Sequence, residues 1–286
     1  MPPLRLFSPA KINLYLRVLR QRPDGFHDIE TLFQRISLKD EIILTPRSDG
    51  KIEIVCDCPE VPTDERNIAH KAARILQREF APQDRGVRIE IRKRIPVAAG
   101  LAGGSTNAAT ALMGLNRLWR LKLTVKQLAE VARRIGSDVP YFLYDAGLAV
   151  GTGRGDRIRP LKTGPECHYV LVVPRVKLLA GRVYGGLKTK LTKKMGNVNI
   201  LTYHLRKKDL ESVGSLILND LEPVVLRLCP RIARLKERLK ALKAKGVMVS
   251  GSGPSVFGLM ASEQDARIAA EALSKRYRRV FVVKSG

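Results

Sequence analysis

The chain has 286 residues, 52 Lys plus Arg against 27 Asp plus Glu, a formal net charge of +25 and an apolar fraction of 44%. That apolar share excludes a disordered basic tail, and the length allows one large domain or two compact ones. No run approaches the roughly 18 uninterrupted apolar residues of a membrane helix, and Met1–Arg5 does not lead into an apolar run, so a cytoplasmic protein without a secretory signal is expected.

In chain order, Leu4–Phe7 and Ile12–Leu19 read as strands. The turn Arg22-Pro23-Asp24-Gly25 separates them from further strands at Ile29–Leu38 and Glu41–Leu44, with Pro fixing φ and Gly permitting the return. Lys51–Val55 alternates, and Ile68, Ala72, Ile75, Leu76 and Phe80 recur at helical spacing. Val87, Ile89 and Ile91 alternate with Arg88, Glu90 and Arg92, a half-buried strand. After Pro96 comes a small-residue turn, then an Ala-rich helix from about Ser105 to Trp119. Thr124 with Gln127 is a capping box opening a helix to Ile135, and Gly136 stops it. Asp145–Pro165, rich in Gly, Pro and charge, reads as a domain junction, which divides the chain into 1–160 and 161–286. The second half opens with the strand Tyr169–Val173 and a basic loop, Lys188–Val198. Helices at Leu210–Leu218 and Pro230–Lys245 follow, then strands Val247–Ser250 and Val256–Met260, a helix Glu263–Lys275 and a strand Arg279–Val283.

The excess charge is unevenly spread: residues 1–143 carry 24 basic and 16 acidic side chains, residues 144–286 carry 28 and 11. A positive field attracts any polyanion and does not choose among them. The helix Pro230–Lys245 has seven basic residues and one acid, but Ile232, Leu235, Leu239 and Leu242 form one stripe, the pattern of a core-packing helix with a solvated face. A nucleic-acid binder would interleave aromatics with the basic residues, and the second half has few. Cys56-Asp57-Cys58 lacks the spacing of a zinc knuckle, so Cys56, Cys58, Cys167 and Cys229 read as free thiols in a reducing compartment.

The chemistry concentrates in Pro96-Val97-Ala98-Ala99-Gly100-Leu101-Ala102-Gly103-Gly104-Ser105-Thr106-Asn107. A strand ends, small side chains bring backbone N–H groups close to an anion, and a helix N-terminus adds unpaired donors and its positive dipole end. Ser105, Thr106 and Asn107 add side-chain ligands for phosphate or magnesium. Taken alone, the same residues also suit a tight helix–strand packing turn. The sequence holds no Walker P-loop, no protein-kinase motif set and no dinucleotide fingerprint.

With Ser8-Pro9-Ala10-Lys11-Ile12-Asn13-Leu14 near the start and Val249-Ser250-Gly251-Ser252-Gly253-Pro254-Ser255-Val256-Phe257-Gly258 near the end, this run resembles the three motifs of the GHMP small-molecule kinases, in order across nearly the whole chain. Arg22-Pro23-Asp24-Gly25-Phe26-His27, Thr31-Leu32-Phe33-Gln34 and Gly136-Ser137-Asp138-Val139-Pro140-Tyr141-Phe142 are similar to one branch in particular. That branch phosphorylates the 2-hydroxyl of a cytidine-diphosphate methylerythritol, on the non-mevalonate route to isoprenoids. The Asp24–His27 segment disfavours the homoserine and mevalonate kinase branches.

The resemblance implies an α+β, two-domain fold: an N-terminal domain like ribosomal protein S5 domain 2, and a ferredoxin-like C-terminal domain. It implies ATP as co-substrate with Mg2+ carried on it, no metal site of the protein's own, and a cytoplasmic monomer or weak homodimer that binds neither nucleic acid nor membrane. Lys11 and Asp138 match the catalytic pair, and 96–107 the ATP loop. Asn13 would hold the erythritol part, Phe26 stack on cytosine, His27 read its polar edge, and Gly251, Ser252 and Gly253 form a second nest. Tyr184 is a second stacking face only if the departure at Arg175–Gly181 is set aside. Without the resemblance, Asp138 reads as a helix cap and Lys11 as a solvated strand lysine. Ala98, Ala99 and Ala102 stand where relatives often have Gly, which bears on fine loop geometry.

Overall fold

Two long strands organise the first half. The computed structural model describes residues 2–82, 84–162, 164–187 and 197–286. β1 (Leu4–Gln21) and β2 (His27–Arg47) form an antiparallel ribbon closed by the turn at Gly25, whose φ is +81°. Leu4 faces Leu44 at one end and Gln21 faces His27 at the other. Each is one continuous strand where the sequence pattern shows two. The pieces fuse because register shifts, such as that between Pro9 and Lys11, absorb the proline as a bulge.

The sheet grows outward as β3 (Ile52–Cys56), β4 (Gly86–Arg92), β2 and β1, with β3 parallel to β4 and β4 antiparallel to β2. β5 (Leu148–Thr152) pairs with β2 and β6 (Arg157–Leu161) with β5. The segment read as a domain junction is therefore largely a hairpin of the first sheet. Its glycines serve packing: a Cβ on Gly151 would lie 2.6 Å from the Phe33 ring. Helices α1 (Ile68–Phe80), α2 (Gly103–Leu118) and α3 (Val125–Arg133) share one core with this sheet, built from Leu44, Leu76, Ile89, Leu112 and Leu115. Asn67 caps α1 through Ala69 N–H, and the capping box of Thr124 and Gln127 is formed.

In the second half, β7 (His168–Val172) is followed by α4 (Ala180–Gly185), α5 (Val198–Lys207) and α6 (Leu210–Leu216). Then come β8 (Leu218–Asn219), α7 (Glu222–Leu228), α8 (Arg231–Ala241), β9 (Gly246–Val249), β10 (Val256–Met260), α9 (Glu263–Ser274) and β11 (Val280–Lys284). The four long strands form an antiparallel sheet in the order β11-β7-β10-β9. Val170 and Val172 pack with Ile232, Leu235 and Leu239 of α8 and Ala269 and Leu273 of α9. Tyr169, Leu171 and Phe257, on the opposite pleat, share a core with Ile12, Leu14 and Leu32 of the first sheet. β8 pairs parallel with β1, Tyr15 facing Leu218 and Leu16 facing Asn219.

The helix expected to reach Leu218 stops at Leu216, because Leu218 and Asn219 join the sheet. Val198, expected in a basic loop, opens α5, and residues 188–196 of that loop lie outside the described residues. The short helices α4 and α7 carry too few turns to leave a periodic signal and were not expected. The basic helix buries Ile232, Leu235 and Leu239, as its stripe suggested. All four cysteines are free thiols. Among the described residues no helix is long and apolar enough to cross a membrane.

Candidate active site

The register shift after Pro9 turns Lys11 inward, and its backbone N–H donates to Leu101 O at 3.2 Å. The Lys11 side chain is 5% exposed. A buried ammonium is tolerable only if its protons are accepted. Nζ donates to Asn13 Oδ1 at 2.7 Å and to Gly100 O at 3.5 Å, and it stands 3.5 Å from Asp138 Oδ2. The Asn13 amide is fixed in turn, donating to Thr31 Oγ1 at 2.8 Å, whose hydroxyl donates to Tyr15 O at 2.6 Å. Asp138 is 33% exposed and lines the cleft. It precedes a 3-10 turn, Pro140–Leu143, in which Tyr141 stacks on Phe33 with centroids 4.9 Å apart. The same Phe33 ring lies under Lys11, with Nζ 5.4 Å from its centroid.

Around this pair opens a cleft of about 880 Å3. One wall is the loop that enters α2. Ala98, Gly100 and Ala102 are all left-handed, with φ of 52°, 77° and 57°. Ala102 is the N-cap of α2 and makes no side-chain cap, so the first turn presents open N–H donors. The helix starts at Gly103, two residues earlier than expected. Pro96, Val97, Ala98, Ala99, Gly100, Ala102, Gly103, Gly104, Ser105 and Asn107 line the cleft, as expected of an anion loop. Leu101 and Thr106 do not: Leu101 belongs to the core with Ile12, and Thr106 is fully buried. Asn107 is committed elsewhere, donating to Asp40 Oδ2 at 2.9 Å. Of the three polar side chains expected to contact phosphate, only the Ser105 hydroxyl faces the cleft without such a commitment.

The second glycine loop interlocks with the first. Ser250 Oγ donates to Gly100 O at 3.0 Å, and Ser255 N donates to Ala99 O at 3.2 Å. A Cβ on Gly251 would lie 3.1 Å from Asn13 Oδ1 and 3.6 Å from Lys11 Nζ, so this loop abuts Lys11 and its hydrogen-bond partner Asn13. Asn219 holds it, donating to Val249 O and Gly251 O, each at 2.8 Å. Gly251 and Ser252 line the cleft, whereas Gly253 turns toward Val249 and Val225.

At the far end, Phe26 is 51% exposed at the β1–β2 turn, with the Arg154 guanidinium 5.0 Å over its ring. Asp24 accepts from Phe26 N–H at 3.1 Å, and hydrogen bonds from Arg22 hold its carboxyl below the usual range. His27 stacks on Tyr184 of α4, centroids 5.3 Å apart and planes 30° off parallel. Burial, and then the charge of Asp138, push the Tyr184 phenol up from its ordinary value. An aromatic from the second half therefore meets the turn from the first.

Comparison with known proteins places this arrangement. The GHMP kinases N terminal domain matches residues 67–146, and the GHMP kinases C terminal domain matches 201–279. The 4-diphosphocytidyl-2-C-methyl-D-erythritol kinase of Shouchella clausii is 44% identical over 261 residues, which cover 91% of this chain and 86% of that protein. The chain belongs to the GHMP kinases, in the 4-diphosphocytidyl-2-C-methyl-D-erythritol kinase branch. A crystal structure of a 4-(cytidine 5'-diphospho)-2C-methyl-D-erythritol kinase superposes with TM-score 0.84 at 33% identity, covering 99% of both chains. The homoserine kinase of Cytophaga hutchinsonii, 22% identical with TM-score 0.78 over 100% of this chain and 95% of that one, shares the fold.

As a member of this kinase family, the chain brings most of the sequence-predicted residues to one cleft: Lys11, Asn13, Phe26, His27, Asp138, Gly251 and Ser252 with the loop from Pro96. Sequence reasoning missed Asp40, Lys93, Thr31, Arg154 and Asn219. Thr31 sits in the Thr31–Gln34 motif and Arg154 between two glycines, but nothing local gives either a role, and each of the five acts through a partner distant in the chain.

Proposed function

We propose that the chain transfers the γ-phosphate of ATP to the 2-hydroxyl of 4-diphosphocytidyl-2-C-methyl-D-erythritol. The observation that carries this reading is the Lys11–Asp138 pair, 3.5 Å apart, beside Gly100 and the uncapped start of α2 in one cleft. The triphosphate lies along 96–105, its charge met by the N–H groups of α2. The acceptor oxygen attacks the γ-phosphorus as the bond to the β-phosphate oxygen breaks, and ADP leaves. Asp138 takes or orients the hydroxyl proton, and the Lys11 ammonium lowers that hydroxyl's pKa. Phosphoryl transfer is mostly positioning and charge stabilisation, so Asp138 need not be a strong base. Asn13 and Gly251 bound the erythritol part. Phe26, His27 and Tyr184 receive the cytosine, with Tyr184 swinging off His27 to become the second stacking face.

Mg2+ arrives on the nucleotide. A magnesium ion of this kind is held mainly by the phosphates and water rather than by a protein cage. Ser105 is the side chain placed to reach it. The division at 160/161, the monomeric or weakly dimeric state and the cytoplasmic location are part of the same proposal. Incubation with ATP and the cytidyl alcohol, with Mg2+ present and then chelated, tests the reading. Phosphate transfer that requires Mg2+ supports it, and transfer to homoserine or mevalonate instead overturns it.

A further inference from the structure

We infer that Asp40 is a positioning residue for the nucleotide. It ties both ends of the phosphate loop to β2, the partner of the strand that carries Lys11 and Asn13. The inference rests on the reading of 96–105 as the triphosphate site, and it names what aims that site.

Asp40 lies in β2 opposite Ser8 of β1, with no exposed surface. Its carboxylate accepts four hydrogen bonds. Oδ1 takes the backbone N–H groups of Arg94 at 2.7 Å and Ile95 at 2.8 Å, where the chain leaves β4 for the loop. Oδ2 takes Lys93 Nζ at 2.6 Å and Asn107 Nδ2 at 2.9 Å, the latter one turn into α2. Asp57 accepts the Lys93 backbone N–H at 2.8 Å, so three consecutive N–H groups end on carboxylates. The Lys93 ammonium, on a side chain 7% exposed, also donates to Ile95 O at 2.8 Å and packs where a Cβ on Gly103 would be, 2.9 Å away. The next polar residue on this face of α2, Thr110, accepts from Ser8 Oγ at 2.8 Å.

A buried ion pair is weak evidence for stability, because apolar packing of similar volume does as well or better. Here the pair and its two amide partners specify geometry. One carboxylate fixes the loop's entrance at 94–95 and its exit at Asn107. The α2 N-terminus is therefore aligned by β1 and β2, the ribbon bearing the acceptor machinery. Asp40 is buried and does not line the cleft, and it sets where the γ-phosphate sits relative to Lys11.

The test uses full-length Asp40→Asn and Asn107→Ala. Asparagine keeps an acceptor for the two backbone N–H groups but places an amide against Lys93 and Asn107. Asn107→Ala leaves the Asp40–Lys93 pair intact and decides the matter if Asp40→Asn does not fold. ATP affinity is measured by calorimetry without acceptor, and kcat and KM for each substrate by coupled assay. The expected result is a loss of ATP affinity on the order of 10–100-fold in Asp40→Asn and about tenfold in Asn107→Ala. The KM for the cytidyl alcohol stays within about threefold of wild type, and the double variant loses less than the product of the singles. ATP affinity within about twofold of wild type in the folded variants overturns the inference, as does an equal loss for both substrates. Transfer by the wild type tests the functional reading separately, since ATP binding is measured with no acceptor present.

Discussion

A methyl group at position 100 has nowhere to go. Gly100 sits at φ +77°, where an L-residue costs about 1–2 kcal/mol. Its ideal Cβ would stand 2.3 Å from Ser250 O and 3.0 Å from Gly253 O, both backbone atoms that no rotamer change can move. Gly100→Ala must therefore part the two glycine loops. Overpacking of this kind adds about 1–3 kcal/mol, so a total destabilisation of roughly 2–5 kcal/mol is expected. Parting also breaks the Ser250 Oγ–Gly100 O and Ser255 N–Ala99 O bonds and withdraws Gly100 O from Lys11. A shift of about 1 Å at a reacting centre costs on the order of 10²-fold. Thermal unfolding and steady-state kinetics on the same preparation measure both effects, and kcat/KM should fall by about that factor while the variant stays folded at 25 °C. A variant with wild-type Tm and kcat/KM within about threefold would refute the interlock as the device that sets the site.

Asp138→Asn should lower kcat by about 10²–10⁴-fold, and its Tm should hold because the carboxyl is 33% exposed; full activity would remove Asp138 from the chemistry. Phe26→Ala should raise the KM for the cytidyl alcohol about tenfold or more through lost stacking, leaving the KM for ATP and the Tm unchanged at this half-exposed position; an equal rise in both KM values would argue against stacking. His70 titrates below its ordinary value, mainly because burial disfavours its charge. The unfolded chain then takes up that proton first, so this contribution to stability is present above about pH 6.5 and is lost as pH falls toward the folded-state value. In His70→Gln the acid limb of denaturant midpoints against pH should flatten, and a slope equal to wild type would dismiss the effect.

What was legible in the sequence was local. The run from Pro96 announces a tight turn and a helix start through its own small side chains, although the strand expected to end at Pro96 stops at Arg92, and the Thr124–Gln127 cap needs only four residues. Lys11 and Asp138 were found through the motifs around them, and by local chemistry alone each looked ordinary. The unread part is non-local. Asp40 meets residues more than fifty positions away, and Gly100 meets Ser250 across the whole molecule. Thr106 and Ser105 are equivalent as letters; the rotation of α2, fixed by where the helix begins and what holds Asn107, buries one and opens the other. The glycines after Asp145 suggested a domain junction, but Phe33 packing across the sheet requires one of them.

The short strand β8 closes the edge of β1 with residues from the far half of the chain. Asp220 extends the closure: its N–H donates to Leu16 O, and its carboxylate accepts from Val18 N–H, both at 2.9 Å. Translation delivers those residues late. At about 5–20 residues per second, the Tyr15–Val18 edge stands uncovered for several seconds after β6 has left the ribosome. An uncovered apolar edge is a template for pairing with another chain. A truncation after β6 should therefore aggregate, and a slow stretch of codons between β6 and β8 should lower the yield of soluble enzyme.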